Sequence, residues 1–222
     1  MKKDLPSKHA IVQSDKETYA IAPHLPGGFV TTSQLRSICD VAEKYGVRAL
    51  KLTSAQRIAL IGIREEDLDK VWIDLGMTPG AVLGHRVRSV KICPGSTCCK
   101  RGVQDSVSLG LELDRRYHGM ELPNKLKIGV SGCLVSCAEA AVKDIGILGT
   151  LKGWRILVGG SAGPRPRLAD MLIDNVSSQD EVLALVDKIM TFCRMSTNHN
   201  RLGRIIDSVG IERFRQEMLG PI

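Results

Sequence analysis

The sequence predicts an α+β protein of two parts: a ferredoxin-like (split βαβ) first part and an α/β second part ending in helices. Two patterns lead there. Roughly residues 18–92 read as β-α-β-β-α-β, and from Cys93 onward strands alternate with helices before a long helical tail. In "TTSQLRSICDVAEKYG", Thr31 and Gln34 have capping-box spacing, and Leu35, Ile38, Val41, Ala42 and Tyr45 recur at helical intervals. Gly46 ends that helix. The β-rich runs "VRALKLT" and "RIALIGI" flank Ser54, Ala55 and Gln56, which predicts a tight connection. "EEDLDKVWIDLG" is a second helix, acidic in its first turn, with Leu68, Val71, Trp72 and Leu75 on one face. "TYAIA" supplies the strand before these elements and "HRVRSVKI" the strand after them.

In the second part a helix is expected through "GVQDSVSLGLELDRRYHG" and a strand at "KLKIGV". A turn at Cys133–Cys137 with a short helix follows, then strands at "DIGILG" and "WRILVGG". "SAGPRPR" is a turn-rich loop, and "DEVLALVDKIMTFCRM" and "HNRLGRIIDSVGIERFRQEML" are helical. The expected domains are residues 1–88 and 89–222.

Composition narrows the function. No run of uncharged apolar residues is long enough to span a membrane, and the N-terminal stretch lacks the apolar core of a secretory signal. A cytoplasmic chain is the expectation, where thiols stay reduced; seven cysteines, an odd number, then favour metal ligation or catalysis over disulfides. The net charge of +7 suits an anionic substrate, an anionic cofactor or an acidic partner. An aromatic content of 4% leaves few stacking platforms for bases, and no nucleic-acid partner is expected.

Cys93, Cys98 and Cys99 follow one predicted strand; Cys133 and Cys137 follow another. Four thiolates converging from two loops suit zinc or a cubane iron–sulfur cluster, and the wide C-x5-C spacing sits better with the larger group. The plain alternative is five small buried hydrophobes. Cys39 and Cys193, on apolar helices, read as core residues.

C-x5-C, "SGC-x3-C-A" and "DIG-x-x-G" together resemble the signature of the siroheme-containing sulfite and nitrite reductases. "LPGGFVTTSQLRSI", "KLTSAQRIALIGI", "LPNKLKIGVSGC", "GWRILVGG" with "RPRL", and "RIIDSVGIERFRQ" extend the likeness over nearly the whole chain. The resemblance implies a ferredoxin-like half-domain followed by a siroheme and [4Fe-4S] domain. It implies that Cys93, Cys99, Cys133 and Cys137 hold the cluster, that Cys137 also bridges to the siroheme iron, and that Cys98 stays free. Gly132 is then expected to free the turn so that N–H groups face the sulfurs, with a helix from Cys137 aiming its positive end at the cluster.

Lys125 and Lys127, two apart on a strand, project on one face and match the family's K-x-K of substrate-site lysines. The family's T-x-R-Q has become Thr53, Ser54, Ala55, Gln56, with Arg57 one position late, and His24 replaces an arginine before "LPGG". Arg57 is carried forward as the catalytic candidate there. Siroheme is a polycarboxylate, so its pocket needs cations: Arg86, Arg88, Lys91, Lys100, Arg101, Arg165 and Arg167 are candidates. The loops "CCKRG" and "GPRPR" are expected beside the cluster. Gly159 and Gly160 would let the backbone approach the macrocycle.

The implied activity is six-electron reduction of sulfite to sulfide or nitrite to ammonia. No flavin or nicotinamide fingerprint is visible, so an external donor such as ferredoxin is expected. Larger family members carry this unit twice, so a second protomer or a partner subunit is expected here. The rival readings are a [4Fe-4S] electron-transfer protein without siroheme catalysis and a zinc-stabilised binding module.

Overall fold

The computed structural model of the chain describes residues 2–220, which fall into two compact units meeting in sequence between Gly84 and His85. The first contains a four-stranded antiparallel sheet in the order β1 (Ile11–Val12), β2 (Tyr19–Ile21), β4 (Ile58–Ile63), β3 (Ala49–Leu52). Helix α1 (Thr32–Lys44) joins β2 to β3, and α2 (Leu68–Leu75) follows β4. The capping box forms: the Gln34 N–H donates to Thr31 Oγ1 at 3.1 Å, and the Thr31 N–H to Gln34 Oε1 at 2.9 Å. Ile38 and Val41 of α1 bury against Leu60, Ile63, Leu68 and Val71.

Two expectations change here. The strand in "HRVRSVKI" does not close this sheet; it belongs to the second unit. The edge beside β2 is taken by the short β1 instead, pairing Ile11 with Ala20. Cys39, expected in the core, is exposed. Its neighbour Ile38 takes the buried face, and one residue along a helix turns the side chain about 100° away.

The second unit is built on a five-stranded sheet in the order β5 (Val87–Ile92), β6 (Leu126–Ser131), β7 (Ile145–Thr150), β8 (Gly153–Val158), β9 (Asp170–Val176). β5, β6 and β7 are parallel, and β8 and β9 run antiparallel to their neighbours. One core cluster joins Val90, Ile128, Ile147 and Ile156 of the sheet to Leu109 and Leu113 of α4 (Ser106–Tyr117) and Val186 and Ile189 of α5 (Gln179–Met195). Phe214 of α7 (Ile211–Leu219) completes it.

β9 was not expected: its polar Asp174 and Asn175 interrupt the alternation that marks a strand, and its pairing with β8 is irregular. The expected helix from residue 102 starts only at Ser106. There Asp105 caps it, accepting from the N–H groups of Val107 (3.1 Å) and Ser108 (3.0 Å). Residues Gly95–Cys98 form a separate single turn, α3. The helical tail breaks at Gly210 (φ 85°) into α6 (Leu202–Val209) and α7. Among the described residues, no helix is long and apolar enough to cross a membrane.

Candidate functional site

β5 and β6 end side by side, with Ile92 opposite Val130, so the loops that follow them are adjacent. The Gly132 N–H donates to Cys93 Sγ at 3.2 Å. The Gly132 carbonyl accepts from the N–H groups of Val103 (2.9 Å) and Gln104 (3.0 Å), which fastens the Cys133–Cys137 loop onto the Cys93–Gln104 loop. Gln104 Nε2 also donates to the Thr150 carbonyl at 2.9 Å, tying in the β7–β8 turn. Cys93 is buried, Cys99 and Cys133 are half-buried, and Cys98 and Cys137 are exposed.

Gly132 is required for space, not for turn freedom, because its φ is not in the left-handed region. A Cβ there would stand 2.6 Å from the Gln104 carbonyl oxygen and 2.6 Å from Gly95 Cα. The helix expected from Cys137 does not form. Ser136 (φ 59°) and Glu139 (φ 58°) are left-handed, which stops helix propagation and leaves only a 3₁₀ turn at Ala140–Val142. The chain instead lies back over the sheet, where the Ala138 N–H donates to Ser131 Oγ at 3.0 Å. It fits because β6 and β7 are bare beneath it: a Cβ on Gly129 would meet the Ala138 carbonyl oxygen at 2.8 Å, and one on Gly146 the Ala140 carbonyl oxygen at 2.3 Å.

Lys125 and Lys127 flank the first residue of the same β6, a strand of six residues and so roughly 20 Å long. β8 runs antiparallel to β7, and its end returns Gly159 and Gly160 to this lysine end. A cleft of about 340 Å³ here is lined by Lys125, Gly159, Gly160, Arg165, Arg201 and Arg204, among others. "GPRPR" therefore lies at the opposite end of the sheet from the cysteine loops, not beside them; sequence order gave no sign that β8 reverses direction.

The cations differ in what they have left to offer. Arg167 is fully engaged: Nη2 with Asp170 (2.6 Å), Nε with Asp207 (2.8 Å), and Nη1 with the carbonyls of Gly159 (3.2 Å) and Leu168 (2.9 Å). Lys91 and Lys143 both donate to Glu139 at 2.8 Å, which holds its carboxyl down at about 2, Lys143 contributing most. Lys100, Arg101 and Arg165 are exposed. The Nε of Arg86 is buried with no acceptor, an orphan donor of the kind an anionic group would satisfy. Burial, then the charge of Arg86, pushes the Arg88 guanidinium below its usual range. Burial, followed by the positive charges of Lys143, Arg201 and Arg88, lowers the Lys127 ammonium. Arg57 belongs to the first unit, 7% exposed at the start of β4, with its N–H on Thr53 Oγ1 at 3.2 Å.

Sequence reasoning missed Asp144 and Arg201, which form an ion pair at 2.6 Å in the wall of the cleft. The only signal was the Asp of "DIG", noted as signature and given no task. Cys193 does pack against the core as expected, and burial pushes its thiol up to about 12.

As a donor set, the cysteine end fits an iron–sulfur cube: reduced thiols on two loops already fastened together, with one N–H on a sulfur. Among the described residues no three His, Cys, Asp or Glu side chains gather as they would around one ion. Thiolates around a cube stand farther apart than that. The orphan Arg86 donor and the exposed cations suit a polycarboxylate.

Residues 83–221 match the family described as the nitrite and sulphite reductase 4Fe-4S domain, and residues 11–77 the nitrite/sulfite reductase ferredoxin-like half domain. The chain is 39% identical over 214 residues to an assimilatory-type sulfite reductase of Nitratidesulfovibrio vulgaris, covering 96% of this chain and 98% of that one. It is 38% identical over 214 residues to a nitrite reductase [NAD(P)H] of Bacillus subtilis, covering 96% of this chain but only 26% of that one. In fold it resembles dissimilatory sulfite reductase I (TM-score 0.80, 16% identity, 92% of this chain and 70% of that one). The Mycobacterium tuberculosis NirA protein is also similar (TM-score 0.76, 20% identity, 93% and 42%).

Proposed function

The chain belongs to the nitrite and sulphite reductase family, and on that premise we propose that it is a siroheme and [4Fe-4S] enzyme carrying out six-electron reduction of sulfite to sulfide or nitrite to ammonia. The observation that carries the reading is the fastening of the two cysteine loops, with the Gly132 N–H on Cys93 Sγ at 3.2 Å. Cys93, Cys99, Cys133 and Cys137 would hold the cluster, and Cys137 would serve the siroheme as well. When bound, the two groups deliver electrons singly to the anion. The N–H donated to Cys93 stabilises negative charge on that sulfur and so raises the cluster's reduction potential.

Lys125 and Lys127 hold the oxyanion and supply protons as its oxygens leave as water; Arg57, in the first unit, is kept as a separate catalytic candidate. A lowered ammonium, as at Lys127, gives up its proton more readily than an ordinary lysine. Siroheme carboxylates are met by Arg86, Arg88, Lys100, Arg101 and Arg165, with Gly159 and Gly160 allowing close backbone approach. Arg167, already spent on two carboxylates, is left out of that set. The donor is an external reductant such as ferredoxin, the setting is cytoplasmic, and a second copy or a partner subunit completes the site.

Anaerobic purification from a host that makes siroheme, followed by a visible spectrum and dye-driven turnover with each anion, tests the whole. Haem-like bands with sulfite or nitrite turnover are expected. An iron–sulfur shoulder alone would mean an electron-transfer protein, and iron-free, colourless material would end the reading.

A further inference from the structure

Asp144 opens the "DIG" motif and is without a role in the reading above. Its side chain is 1% exposed, and Arg201 meets both carboxylate oxygens: Nε to Oδ1 at 3.1 Å and Nη2 to Oδ2 at 2.6 Å. A third donor on Oδ2 is the backbone N–H of Lys127 at 2.8 Å. The remaining arm of Arg201, Nη1, donates to Ser161 Oγ at 2.6 Å, the residue that opens the "SAGPRPR" loop. The Gly159 N–H donates to the Asp144 carbonyl at 2.8 Å, and the Arg201 carbonyl accepts the first N–H bonds of α6. The start of β6, the start of β7, the end of β8, the basic loop and the start of α6 thus converge on one ion pair whose carboxylate is buried.

Around the Lys127 ammonium stand Arg88 from β5, Lys143 and Asp144 from the β6–β7 connection, and Arg201 from the N-cap of α6. Lys143 is shared with Glu139 and Lys91. Glu139 is thus spent on two other lysines and Asp144 on Arg201, while among the described residues the Lys127 ammonium has no ion pair of its own.

We propose that Asp144 and Arg201 are a positioning pair: they clamp the lysine strand to the basic loop, so that the Lys127 ammonium is presented uncompensated to an incoming oxyanion. This rests on the reading that Lys127 meets the substrate, and deepens it. A merely structural pair would hold the same elements together, but the two partners act on Lys127 with opposite sign. Arg201 disfavours its charged form, and Asp144, the weaker influence, favours it.

The test uses the holoenzyme as wild type and as Asp144→Asn, Arg201→Met and Arg201→Lys. Competitive acetylation with acetic anhydride across pH, read on the Lys127 peptide by mass spectrometry, gives the ammonium's titration midpoint without needing turnover. KM for sulfite and nitrite is measured with a reduced dye. The midpoint is expected to fall in Asp144→Asn and rise in Arg201→Met, with KM up on the order of tenfold in both as the ammonium loses its place. Arg201→Lys keeps the charge but loses the fork, so its midpoint stays while KM still rises; it carries the test should the other two fail to fold. Shifts of one sign, an unmoved midpoint in the folded charge-removing variants, or a wild-type KM in the folded variants overturns the proposal. Absence of turnover in the wild type would instead sink the functional reading and leave the labelling result standing.

Discussion

The two ends of the second unit's sheet share strands yet are held by different forces. At the cysteine end, loops are joined backbone to backbone, and glycines are compulsory because carbonyls pass where a methyl group would stand. At the lysine end, segments are joined on a buried carboxylate, which takes one guanidinium and one backbone N–H. The first arrangement fixes atoms by exclusion and leaves the thiols free for ligation. The second spends the buried carboxylate of Asp144 on Arg201, and among the described residues Lys127 has no ion pair. On the proposed reading, one sheet carries both the cysteines that would hold the cluster and the lysines that would hold the anion.

The sharpest way to break this contrast is Cys137→Ser, which is expected to bring dye-driven turnover to background while the ferredoxin-like unit stays folded by circular dichroism. Turnover that survives would remove the shared thiolate from the cysteine end. Next in size is Lys127→Met, expected to lower kcat/KM about 100-fold, the scale for losing one charge-stabilising donor. The ammonium is charged below its lowered pKa and neutral above it. Activity should therefore fall on the alkaline side at a pH below that of an ordinary lysine, and Lys127→Met should lose that limb.

Gly132→Ala probes exclusion alone. Its methyl group would stand 2.6 Å from two backbone atoms, so unfolding free energy should drop by about 1–3 kcal/mol, and iron content should drop with it. Retained iron at full stability would show that the loops can part. The smallest effects belong to Cys39→Ser and Cys98→Ser, both exposed, each within about 0.5 kcal/mol of wild type. A larger loss of iron in Cys98→Ser would add that thiol to the ligand set.

Much of this architecture was legible in the residues, where the cause is local. Thr31 and Gln34 announced a capping box, and Gly46 follows α1 in the left-handed region (φ 59°), as a glycine at that place should. The two cysteine loops were legible as loops because each follows a strand-like run, and the structure sets them side by side. What escaped depends on partners far apart in sequence. β1 takes the sheet edge that a later strand was expected to fill, and β9, with its polar interior, declares itself only by pairing with β8. That "GPRPR" stands at the far end follows from the direction of β8, which no local pattern records. Asp144 and Arg201 lie 57 residues apart, so only the folded chain reveals them as one device.

Gly129 and Gly146 carry a last consequence. Parallel neighbours commonly cross over through a helix, whose girth would hold any attached thiol well clear of the pleat. Here the crossover is a ribbon resting on hydrogen atoms, so the height of Cys137 is set by two missing side chains beneath it. A single methyl group on the strand floor, touching no thiol, would act as a shim and lift Cys137 from the place it takes over the sheet.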